Sequence, residues 1–122
     1  MRSIGNRYEQ EAVDLLTQGG LQILSRNFTR KTGEIDIVAL DGQCLVFLEV
    51  RLRSHFAYAG AAASVDRRKQ HKIIRTAQLY LRAHPGRQSC PCRFDVIAFE
   101  PAQASDALSV NWIKSAFISD IT

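Results

Sequence analysis

Two apolar runs flanking a tight-turn signal, each with one acid set into it, constrain this chain more than any other feature. The runs are Ile35-Asp36-Ile37-Val38-Ala39-Leu40 and Leu45-Val46-Phe47-Leu48-Glu49-Val50, with Asp41-Gly42 between them. Asp-Gly between hydrophobic strands marks a two-residue hairpin, because such a turn needs positive φ at its central positions. With Asp41-Gly42 as the turn, opposed residue numbers sum to 83, so Asp36 faces Phe47 and Glu34 faces Glu49. Period-two alternation sets Glu34, Asp36, Glu49 and Arg51 on one sheet face. Asp36 and Glu49 become diagonal neighbours about 7–8 Å apart at the backbone, within reach of a shared divalent cation. A loop of odd length would send them to opposite faces.

A charge without a partner in such surroundings costs several kcal/mol. Two kinds of partner are open. One is an ion pair, for instance Glu49 with Arg26, Arg51 or Arg93. The other is a cation held jointly, with Glu9 as a third carboxylate. Residues 4–18 read as a helix capped at Ser3 or Asn6 and stopped by Gly19-Gly20. On its wheel Tyr8, Ala12, Val13, Leu15 and Leu16 share one face, and Glu9 falls about 55° from that stripe while Glu11 and Asp14 point away.

The remaining elements follow from pattern. Strands are expected at 21–28, 33–40, 43–53, 92–100 and, shorter, 108–113, with a long helix capped by Ser64, running to Ala83 and ended by Pro85-Gly86. The order α-β-β-β-α-β-β, without repeat or linker, predicts one α/β domain over 1–122 with a mixed central sheet flanked by helices. No apolar run approaches the roughly 20 residues needed to cross a bilayer, and no signal-peptide layout precedes the first helix. Cys44, Cys90 and Cys92 are an odd set with no repeated spacing, which reads as reduced thiols in a cytoplasmic protein. A zinc site from Cys90, Cys92 and His84 would lack usual ligand spacing and an obvious fourth ligand.

Charge is distributed unevenly. The net charge is +4, yet residues 51–93 hold ten Lys/Arg against one acid, Asp66. Such a block beside an acidic remainder suggests a polyanion partner. On the long helix Arg68, His71, Arg75 and Arg82 fall opposite the apolar side, flanked by Arg67 and Lys72, a face suited to a phosphate backbone. A solvated outer face is the alternative. Lys69 and Gln70 fall on the apolar side, where they either reach the carboxylates or respectively snorkel and cap a strand end. Arg53 leads a loop with His55, Phe56 and Tyr58, which stack on nucleotides or pack back on the core.

Gly33-Glu34-Ile35-Asp36, followed by Glu49-Val50-Arg51, resembles the active-site hairpin of the restriction-endonuclease-like nuclease superfamily, an Asp followed by Glu-x-Lys. Gly5 with Glu9 and Ala12, Ser25-Arg26-Asn27-Phe28, Lys69-Gln70, Ala77 with Tyr80-Leu81, and Arg93-Phe94-Asp95-Val96-Ile97 extend the likeness. Over nearly its whole length the chain resembles the YraN family of small bacterial proteins, themselves similar to archaeal Holliday-junction resolvases. The resemblance implies a restriction-endonuclease-like fold and a magnesium- or manganese-dependent DNA endonuclease, with branched DNA as a candidate substrate and Asp36, Glu49 and Glu9 as metal ligands. By the same resemblance the Val50 carbonyl is a candidate for a further oxygen donor. The motif lysine is Arg51 here. Arginine stays protonated and presents a wider fork, so it can steady a phosphate but cannot act as a general base. Arg53 and Lys69 are candidates to supply the missing positive charge. The substitution also admits a nucleic-acid-binding module of the same fold that cleaves poorly or not at all, and ion-paired carboxylates alone would suit an adaptor. Symmetric junctions as substrate would suit a homodimer.

Overall fold

A computed structural model of the chain describes residues 3–52, 65–101 and 108–118. Helix α1 spans Ser3–Gln18, and strands β1, β2 and β3 span Gln22–Arg30, Gly33–Asp41 and Cys44–Leu52. Helix α2 (Arg67–Ala83) is followed by a short 3-10 turn at Pro85–Arg87, then β4 (Cys92–Pro101) and β5 (Leu108–Phe117). The order is α-β-β-β-α-β-β, as the pattern predicts. The five strands form one mixed sheet in sequential order β1 to β5. Only β3 and β4 run parallel, and α2 lies in the connection that joins them.

Alternation along the strands divides the core into two layers. On one face Ala12 and Leu16 of α1 bury against Ile37, Ala39, Val46, Leu48, Ile97 and Phe99. On the other, Ile73, Ala77, Tyr80 and Leu81 of α2 bury against Val38, Leu45, Phe47, Phe94 and Val96. Phe47 stacks on Phe94 at 5.4 Å and meets the edge of Tyr80 at 5.8 Å. Each such side chain contributes about 1.5–3 kcal/mol through its removal from water. No helix is long and apolar enough to cross a membrane among the described residues.

The hairpin turn lies one residue later than the Asp-Gly signal implies. Ile37 opposes Leu48 and Asp41 opposes Cys44, so opposed numbers sum to 85. Gly42 takes φ 61° while neither Asp41 nor Gln43 has positive φ. That is the demand of a turn with glycine at its first central position, and it leaves Asp41 in the strand. Arg93 Nη1 donates to Asp41 Oδ2 at 2.8 Å and anchors it there. Because the sum changes by two, every side chain keeps its face.

Strand β1 runs two residues past its expected end, to Arg30, and the cap of α2 and the end of β5 differ as well. Asp66 caps α2, its Oδ1 accepting from the Lys69 amide at 2.8 Å; Ser64 lies outside the described residues. A carboxylate at that position answers both the orphan amide and the helix dipole. Strand β5 runs on to Phe117, which pairs with Phe94 and stacks on it at 5.0 Å. A register shift between Phe94 and Val96, with Ser115 at φ 53°, interrupts the alternation that would have revealed this extension.

Candidate functional site

The β2–β3 ladder ends at Ile37 and Leu48, leaving the next residues, Asp36 and Glu49, across from each other. Both turn to the α2 side of the sheet, where a cleft of about 200 Å³ is lined by Gly33, Glu34, Asp36, Glu49, Lys69, Lys72 and Ile73. The face expected for Glu34, Asp36 and Glu49 is therefore the observed one, with the two key acids opposed rather than diagonal. Beyond the ladder, the Val50 amide donates to Asp36 Oδ2 at 2.8 Å. This bond fixes the Asp36 carboxylate at the point where the strands part.

The electrostatics of the pair are unequal. Burial first, then the Glu49 carboxylate, push Asp36 up to about 7; the Val50 amide opposes the shift and Glu34 adds to it. Glu49 is buried and has cationic neighbours: Lys69 Nζ lies 3.0 Å and Arg51 Nη1 3.6 Å from its Oε2. The ion-pair reading of Glu49 thus holds for Arg51, with Lys69 the nearer cation. Arg93 pairs instead with Asp95 and Asp41, and Arg26 with Glu9.

Glu9 does not line this cleft. It sits on α1, whose core face packs against the other side of the sheet. Its Oε1 accepts from Arg26 Nη2 at 3.2 Å and from Asn27 Nδ2 at 2.9 Å. Asn27 makes this reach from φ 55°, a left-handed conformation that asparagine tolerates better than most residues. Its ladder neighbours pair Arg26 with Ile37 and Phe28 with Ile35, so the kink lies beside Asp36. Among the described residues no three His, Cys, Asp or Glu side chains form a metal-holding group. Asp36 and Glu49 alone suit magnesium, which commonly takes one or two carboxylates and completes its shell with water and substrate phosphate.

The other expected residues are dispersed around the cleft. Lys69 and Lys72 line it. Gln70 does not; its Nε2 donates to the Val65 carbonyl at 2.9 Å and steadies the start of α2. Arg67, Arg68, His71, Arg75 and Arg82 are exposed along α2. Arg53, His55, Phe56 and Tyr58 lie outside the described residues. Sequence reasoning left open the approach of Lys69 to Glu49; its signal was a lysine on the apolar side of a helix wheel. Nothing in the spacing announced the pin between Thr32 and Thr76, whose hydroxyl oxygens are 2.7 Å apart and which ties the β1–β2 turn to α2.

The family described as "Uncharacterised protein family UPF0102" matches residues 8–99. Similar proteins, each named "UPF0102 protein", include one from Stutzerimonas stutzeri that is 49% identical over 97% of both chains. One from Alcanivorax borkumensis is 45% identical over 98% of this chain and 94% of its own. Another from Pseudomonas savastanoi is 48% identical over 94% and 93%. The matched span contains Asp36, Glu49, Lys69 and all of α2. The chain belongs to the UPF0102 family.

Proposed function

We propose that this protein is a metal-dependent DNA endonuclease of the restriction-endonuclease-like fold. The observation that carries the reading is the cleft itself: two carboxylates at parting strand ends, one pushed up to about 7, with Lys69 Nζ 3.0 Å from Glu49. Like charges confined together call for a cation, and this donor set is all oxygen. Asp36 and Glu49 would hold magnesium or manganese, with the Val50 carbonyl as a further donor. Such an ion, when bound, supplies Lewis-acid polarisation of a phosphoryl oxygen and a more acidic water.

This chain's own groups do the rest. Lys69 and Lys72 at the cleft present ammonium donors to the non-bridging oxygens of a phosphate seated there. Lys69 thereby supplies, from α2, the compact charge that the hairpin motif lacks with Arg51 in its lysine position. Arg51 holds Glu49 from the strand side. The exposed cations Arg67, Arg68, Arg75 and Arg82 bind the flanking backbone without reading sequence.

One observation favours a second reading, a binding module that cleaves poorly: Glu49 already has Lys69 and Arg51 beside one oxygen. Cleavage of linear, flapped and four-way DNA with magnesium or manganese separates the two. The first reading expects activity in the wild type, lost in Glu49→Ala and reduced about 10²-fold or more in Lys69→Met. Activity surviving Glu49→Ala contradicts it. Binding without cleavage, with cleavage gained in Arg51→Lys, establishes the second.

A further inference from the structure

Six Lys/Arg lie outside the basic block in sequence, and two of them are adjacent. Arg30 ends β1 and Lys31 opens the two-residue β1–β2 turn, among the acidic remainder of the chain. The fold returns them to the block. Thr32 Oγ1 and Thr76 Oγ1 are 2.7 Å apart. A Cβ at Gly33 would lie 3.4 Å from Thr76 Oγ1 and 3.5 Å from Lys72 Cβ. Gly33 also takes φ 149°, a backbone conformation that other residues adopt only with strain, at the point where the turn meets α2. The turn that carries Lys31 therefore packs against the stretch of α2 that carries Lys72 and Thr76, next to Arg75 in sequence.

The Arg30 side chain is held by its own strand. Its guanidinium carbon is 4.2 Å from the centre of the Phe28 ring, and Nη1 donates to the Thr29 carbonyl at 2.8 Å. Stacking limits the side-chain entropy lost on binding and leaves the charge uncompensated. No carboxylate among the described residues pairs with Arg30, Lys31, Lys72 or Arg75. Like charges gathered on one surface repel one another, a cost that a polyanion along the surface removes. The same turn leads directly into Gly33 and Glu34 of the cleft.

We propose that the β1–β2 turn is a second arm of the nucleic-acid surface, with Arg30 and Lys31 contacting backbone phosphates next to those on α2. The inference rests on the nucleic-acid reading of the cleft and extends it to residues outside the basic block.

The test is fluorescence anisotropy of the full chain with a labelled duplex and the corresponding single strand, in chelator, across a sodium chloride series. Each phosphate contact adds about 0.9 to the slope of log affinity against log salt for duplex and about 0.7 for single strands. Arg30→Ala/Lys31→Ala is expected to flatten the slope by about 1.8 and about 1.4 respectively. Lys31→Gln alone, which leaves the Arg30–Phe28 stack in place, is expected to give about half of that. Arg68→Ala/Arg75→Ala reports the underlying reading independently. Slopes unchanged in both turn variants while the α2 pair flattens them would overturn the second arm and leave the nucleic-acid reading standing. Absence of binding to either probe by the wild type at low salt would overturn both.

Discussion

Asp95 and Asp36 are both aspartates set among apolar residues in strands of the same sheet, and their surroundings give them opposite characters. Asp95 is 1% exposed. It takes Arg93 Nε at 3.1 and 3.2 Å on its two oxygens, Trp112 Nε1 at 2.9 Å and the Ser115 amide at 2.9 Å. Its charge is compensated by an arginine that reaches on to Asp41. Asp36 has the Val50 amide for a donor and faces another carboxylate. A buried acid with a full set of donors ties strands together. One opposed by its own kind is poised to bind a cation.

The largest expected effect lies on the compensated side. Asp95→Ala takes the acceptor from Trp112 Nε1 and the Ser115 amide and leaves Arg93 with Asp41 alone, and should cost about 3–5 kcal/mol in urea unfolding, with or without magnesium. Asp36→Asn should act in the opposite direction. The folded state holds the Asp36 proton more tightly than the unfolded chain, so this group's contribution to stability falls as pH rises from 3.8 to about 7. In chelator at about pH 8 the variant should exceed the wild type by on the order of 1–2 kcal/mol. A less stable variant under those conditions would remove the repulsion on which the contrast depends. Lys69→Gln gives the smallest change in stability, under about 1 kcal/mol, because its side chain is 43% exposed. It should nevertheless raise magnesium affinity a few-fold in calorimetry, since Lys69 competes with the ion for Glu49. Weaker binding would make Lys69 part of the cation's support instead.

The hairpin shows what was legible in the sequence. Alternation assigned Asp36 and Glu49 to one face whichever even register the turn selected, so the face survived a turn displaced by one residue. Register itself was not legible, because it depended on Arg93 anchoring Asp41 from β4. The apolar stripes of α1 and α2 were plain, since burial in each comes from one face of a regular helix. Glu9 was misleading for a related reason: a wheel gives direction around a helix, and which sheet face the helix covers is decided by chain crossover. The end of β5 was obscured by the irregularity near Ser115. Long-range pins such as Thr32 with Thr76 leave no periodic trace.

The central claim is that the Asp36–Glu49 cleft is a divalent-cation site whereas the acids around Arg93 are structural. Calorimetric titration of magnesium into the wild type and Asp36→Asn tests it most directly. The wild type should bind one ion, about tenfold more weakly at about pH 6 than above pH 7, with release of the Asp36 proton to the buffer. Asp36→Asn, folded and at least as stable, should lose that uptake and its proton release. Equal magnesium uptake by the two proteins, independent of pH, would contradict the claim.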